Sequence, residues 1–182
     1  MKIILLSIIL VLSGCIIKHY PPEKAAIEFD NRKWVLANSD RQPGKSLYEY
    51  TPQGQNSQNW NESIGAVFLA SNISNNPKNE LSKLFTNIKQ ICSNASTSIV
   101  EEKELELVYH WYINNCENVP DQHEIGRFIK TKFGVHKISY VRKTTYLIAS
   151  DKEYWVTKIK NAKIVENHEK TIGIPNNLNT GY

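Results

Sequence analysis

Leu81, Leu84, Phe85, Ile88, Ile91, Cys92 and Ala95 recur at offsets 0, 3, 4, 7, 10, 11 and 14. That spacing draws one apolar stripe along an α-helix and leaves the opposite face to Lys, Asn, Ser and Gln. Asn76-Pro77 precedes the stripe, with a capping side chain followed by a proline that fits the first helical position. A helix wet on one side must lie against another layer, and the neighbouring segments supply it. Leu105, Leu107, Tyr109, Trp111 and Ile113 alternate with Glu106, Val108, His110 and Tyr112, the two-residue period of a strand with one covered face. Lys33–Ala37, Lys45–Thr51, Ala66–Ile73 and Ser98–Glu102 read as further strands, and Glu124–Phe133 and Val135–Lys143 as a hairpin about Gly134. Asp151–Ala162 reads as a late helix with Tyr154, Trp155, Ile159 and Ala162 turned inward. The fold class expected from this order is α+β, an antiparallel sheet with one long helix and a C-terminal helix packed on one face. A chain of 182 residues with 41% apolar content and 15 Gly plus Pro suits one such domain; it excludes collagenous, low-complexity and wholly disordered classes.

The N-terminus is organised differently. Met1-Lys2 is followed by apolar residues from Ile3 to Leu12, then Ser13-Gly14-Cys15, the order of an export signal. The run ends at Lys18 after 15 residues, short of the ~20 a spanning helix needs. Residues 15–31, with Pro21-Pro22 inside, read as anchor and tether, with a short helix over Glu23–Phe29 as an option. Sixteen tether residues would reach at most about 50–55 Å and let the body stand clear of lipid. The expected division is 1–14 signal peptide, 15–31 anchor and tether, 32–165 body and 166–182 a frayed tail.

Leu12-Ser13-Gly14-Cys15 resembles the lipobox of bacterial lipoproteins. The resemblance implies cleavage before Cys15, lipid on its sulfur and on the new amine, and a lasting hold on a membrane. Ile16, where retained lipoproteins of enteric bacteria carry Asp, implies the outer membrane, with the body in the periplasm. Cys92 and Cys116 then remain. An even remainder in an oxidising compartment favours a disulfide over two free thiols, although strict alternation puts Cys116 on the face away from the stripe.

Tyr48-Glu-Tyr-Thr-Pro-Gln-Gly-Gln-Asn-Ser-Gln-Asn-Trp-Asn-Glu62 is the most distinctive stretch. Its aromatic strand, Pro52-x-Gly54-Gln55 turn and Asn59-Trp60-x-Glu62 resemble a group of uncharacterised exported proteins of Gram-negative bacteria; Cys92, Cys116 and the Gly134 hairpin extend the likeness. No activity comes with it. Tyr48, Tyr50, Gln55 and Trp60 form a candidate binding surface in which aromatics stack on, and amides bond to, a sugar or a partner's backbone. The competing reading is a strand–turn–helix junction, with Asn59 and Glu62 capping a short helix.

The five histidines (19, 110, 123, 136, 168) match no metal-ligand spacing, and no nucleophile elbow or phosphate loop is present. His110 reads as a surface residue. No cofactor, no metal and no nucleic acid are expected. Arg127, Lys130, Lys132, Lys137, Arg142 and Lys143 make the hairpin basic; anionic lipid or the protection of an edge strand would each explain them. The expected function is an outer-membrane-anchored lipoprotein whose non-catalytic body binds a protein or envelope component. A tethered envelope hydrolase is the alternative. So is a small-ligand carrier with a pocket lined by Trp111, Tyr109 and Phe85.

Overall fold

The computed structural model describes residues 21–166. The signal, Cys15, His19, His168 and the tail lie outside them. Nine strands and two helices follow in the order β1 (Glu23–Ala26), β2 (Trp34–Gln42), β3 (Lys45–Pro52), β4 (Glu62–Ala70), α1 (Pro77–Ile91), β5 (Ser96–Glu102), β6 (Glu106–Ile113), β7 (Gln122–Lys130), β8 (Gly134–Lys143), α2 (Ala149–Asn161) and β9 (Lys163–Glu166). Strands hold 47% of the described residues and helices 19%. The protein is therefore mostly β, which corrects the expected α+β layering.

Seven strands form one antiparallel sheet in the order β2-β3-β4-β8-β7-β6-β5, and β1 pairs with β9 in a second, two-stranded sheet. The helices do not share a face. In β7, Ile125 packs with Trp34, Trp155 and Ile159, whereas Phe128 packs with Leu81, Ile88 and Tyr109. Residues three apart in a strand point to opposite sides, so α2 and the small sheet cover one face and α1 the other. Two apolar faces per strand explain why β6 is buried at Val108 and His110 as well as at Leu107 and Tyr109.

α1 starts where expected. Asn76 Oδ1 accepts from the Lys78 and Asn79 amides at 2.9 and 3.4 Å, and Pro77 opens the helix. It is only 15 residues long, and Ile91 at its end is exposed. The hairpin of β7 and β8 lies in the middle of the sheet, so its cations do not guard an edge. Three of them are used within the fold: Arg127 pairs with Glu106 and donates to the Lys160 and Ala162 carbonyls at 2.7 and 3.0 Å, capping α2 from the sheet. Lys137 meets Glu124 at 2.9 Å and Arg142 meets Asp151 at 2.7 Å. The two edge strands carry register shifts instead, at Leu36/Asn38 and Ile99/Glu101, the kind of bulge that discourages further pairing.

Two segments depart from the sequence reading in ways that matter below. Asn59 and Glu62 cap no helix, and Glu62 begins β4. Residues 23–26, read as tether or short helix, are a strand inside the body. Glu23 Oε2 lies 3.2 Å from the buried Nε2 of His136, and Ile27 and Phe29 belong to the core around Trp34. The folded body thus includes residues well before position 32, with β1 paired to β9.

Candidate binding surface

Antiparallel order sorts the connections into two ends. One end gathers the β2–β3, β4–α1, β5–β6 and β7–β8 connections. Pro21 and Pro22 sit there, lining a cleft of about 260 Å³ with Gly44, Lys45, Phe68 and Phe133. The other end gathers the β3–β4, α1–β5, β6–β7 and β8–α2 connections. Strands of nine or ten residues separate them by about 30 Å.

The far end is built from the distinctive stretch and the loop after β8. Gly54 takes a positive φ of 91°, which turns the chain after Pro52. Gln55 Oε1 accepts from the Asn61 amide at 2.7 Å, and Asn56 Oδ1 accepts from the amides of Gln58 and Asn59, both at 2.9 Å. These two amides hold the loop's own backbone, while Gln53, Gln58 and Asn59 are exposed. Trp60 is half-buried, with Lys143 Nζ 3.9 Å from its ring centroid. Lys143 leads into Thr144–Ile148, where Thr145 Oγ1 donates to Asp121 Oδ2 at 2.9 Å. Leu147 anchors this loop in the core, whereas Tyr146 is 72% and Ile148 49% exposed. Tyr154, on α2, is exposed as well.

Of the four residues singled out from sequence, only Trp60 and Gln55 reach this end. Tyr48 and Tyr50 share a face of β3, but Tyr50 is buried against Phe29, their rings 5.5 Å apart edge to face. Burial raises its hydroxyl pKa, with Tyr48 adding to the rise. Tyr48 is half-buried, with the Arg41 guanidinium 5.4 Å from its ring. The four do not form one surface. In sequence Thr144–Ala149 reads as extending or following the hairpin, and in the structure it exposes Tyr146 and Ile148; an apolar run without alternation just before a helix is the available sign.

Cys92 and Cys116 form a disulfide, with 5.6 Å between their Cα atoms. Asn115, at a φ of 56°, turns the chain after β6 and brings Cys116 round to the α1 side, which resolves the conflict with strict alternation. The bridge ties the end of α1 to the β6–β7 loop.

Several buried side chains with polar groups are paired with one another. His110, buried rather than on the surface, has Nε2 3.2 Å from His123 Nδ1; the His123 ring also stacks on Tyr112, and its Nε2 lies 3.5 Å from the Thr145 carbonyl. Neither histidine bonds a carboxylate. Burial, helped by the nearby Lys152 and by His123, pushes His110 down to about 4, and His123 also titrates low because it is buried. On the opposite face Tyr109 Oη donates to Glu124 at 2.5 Å, and burial drives its pKa far up. Among the described residues no group of three or more His, Cys, Asp or Glu could hold a metal ion. An open groove of about 400 Å³ runs between α1 and β5, lined by Leu81, Phe85, Ile99 and Leu107. Phe85 is the sole member of the expected carrier pocket that lines it.

The histidine pair makes stability depend on acid. A group held neutral in the fold but protonated in the unfolded chain costs nothing above pH ~6.5 and destabilises the fold as pH falls toward its depressed value. His110, with a folded value of about 4, is expected to withdraw about 2 kcal/mol between pH 7 and pH 4 after allowing for solvent screening. Urea titrations across that range should show it, with a flatter slope in His110→Gln; equal slopes would refute the assignment.

No helix among the described residues is long and apolar enough to cross a membrane. No curated protein and no solved structure matched the chain. A protein-family model matches residues 21–171, and the chain belongs to that family, an uncharacterised one of bacterial origin.

Proposed function

We propose that this chain is a lipoprotein of the bacterial outer membrane, anchored through Cys15, whose non-catalytic body binds a protein or envelope component with the loops farthest from its anchor. The observation that carries the reading is the placement of Tyr146 and Ile148, exposed at the end opposite Pro21. Large aromatic and apolar side chains on an otherwise wet surface are the residues that anchor partners. Trp60 beside Lys143, and the exposed amides of Gln53 and Gln58, add a stacking platform and hydrogen-bonding groups around them. The lipobox supports the anchor, and Ile16 supports the outer membrane.

Two measurements test it. Growth with a clickable fatty acid should label the wild type and leave Cys15→Ala unlabelled. Affinity capture from detergent-solubilised envelope should recover a partner whose yield drops about tenfold in Tyr146→Ala/Ile148→Ala, the loss expected of two centrally placed contacts. Unchanged recovery in that variant would refute the far-end surface.

A further inference from the structure

Pro21 lies at the end of the sheet with Gly44, Lys45 and Phe133, and only five residues separate it from Cys15 in sequence. Six Cα steps span at most about 20 Å. This is far less than the reach of a tether running to residue 31. We propose that the end of the body carrying Pro21 docks on the anionic phospholipid headgroups of the leaflet that holds the anchor. The inference rests on lipidation of Cys15.

The surface around Pro21 suits that partner. Lys45 and Lys132 are exposed there, on the β2–β3 and β7–β8 turns. Lys132 Nζ lies 4.8 Å from the Phe133 ring centroid, and the Phe133 carbonyl accepts from the Ser71 amide at 2.8 Å, which fixes this tip against the β4–α1 loop. Ile73 on that loop is about half exposed at the same end. Lysines among apolar side chains match an interface in which charge meets phosphate and apolar groups enter the headgroup layer. The attraction acts over about one Debye length, ~8 Å at physiological salt, so it would not hold a body standing 50 Å away. A six-step tether brings it within range. The docked end also accounts for the far end's direction, since a sheet about 30 Å long then points Tyr146 and Ile148 away from the bilayer.

The test uses the full, lipidated chain in vesicles of phosphatidylethanolamine with one fifth phosphatidylglycerol, and in detergent. Lysines are modified with a membrane-impermeant amine reagent and quantified by peptide mass spectrometry. Labelling of Lys45 and Lys132 should fall about fivefold in the vesicles, while Lys33 and Lys89 at the far end keep their detergent values. Phosphatidylcholine vesicles, 0.5 M salt, or Lys45→Glu with Lys132 read alone should each restore labelling. A ten-residue Gly-Ser insertion between Tyr20 and Pro21 should restore it as well while the protein stays in the vesicles. Anchored protein whose Lys45 and Lys132 are labelled as in detergent overturns the docking and leaves the anchor standing. Protein without fatty acid on Cys15, recovered free of vesicles, overturns both.

Discussion

Gly134→Ala is expected to destabilise the protein by about 4 kcal/mol, enough to leave much of it unfolded at 37 °C. Gly134 opens β8 with a φ of 154°, a conformation that L side chains rarely adopt, and it pairs with Ala70 across the sheet. A Cβ there would overlap the Leu69 carbonyl oxygen and press on the Ala70 backbone. Those atoms belong to a central strand and cannot swing aside as a side-chain tip would. Relief requires β4 and β8 to part where the β7–β8 turn closes. Gly54→Ala is the control. Its φ of 91° is also positive, but nothing lies within 4 Å of the added carbon, so only the dihedral cost of about 1 kcal/mol remains. Urea denaturation of the two variants separates clash from conformation; comparable losses would place the cost in the dihedral and refute the clash.

Removing the disulfide ranks next. Cys92→Ala/Cys116→Ala is expected to cost about 3 kcal/mol and lower Tm by about 10 °C. The bridge closes a loop with a sequence separation of 24 that includes all of β5 and β6. Cys92 is buried in the cluster with Leu81, Ile88 and Trp111, so truncation also leaves a small void. Without the bridge, edge strand β5 keeps its pairing with β6 and the ion pairs of Glu101 and Glu102 to Lys160 and Lys78, but the end of α1 loses its covalent tie to the β6–β7 loop. Thermal unfolding of wild type with and without a membrane-permeant reductant should reproduce the shift. A reduced wild type that melts with the oxidised one would show that the cross-link contributes nothing.

Local pattern foretold much of this architecture. α1 was legible because its stripe and its Asn76-Pro77 start both follow from one segment's own chemistry. β6 was legible from alternation, the hairpin from Gly134, and the late helix from Trp155 and Ile159, although Tyr154 turned outward. The disulfide followed from counting cysteines, but its geometry needed the turn at Asn115. The candidate site was less legible. Trp60 stands half-buried at the far end, yet Tyr50, ten residues earlier in the same stretch, is core, because β3 has neighbours on both sides and α2 with the small sheet covers that face. The exposure of Tyr146 and Ile148 was not legible, because it is decided by what packs above a residue.

Taken alone, the chain determined most of its elements and the N-terminal pattern that resembles a lipobox, since each depends on residues close in sequence, and cysteine arithmetic favoured one bridge. Which face each helix covers, that the basic hairpin is central, and that residues 23–26 belong to the body were decided only by tertiary structure. Strand order is a choice among distant pairings of similar local energy, settled when two separate apolar clusters fill at once. Glu23 shows it most directly: four residues that read as tether become a strand because β9, about 140 residues later, offers them a free edge, and His136 offers the carboxylate a buried partner.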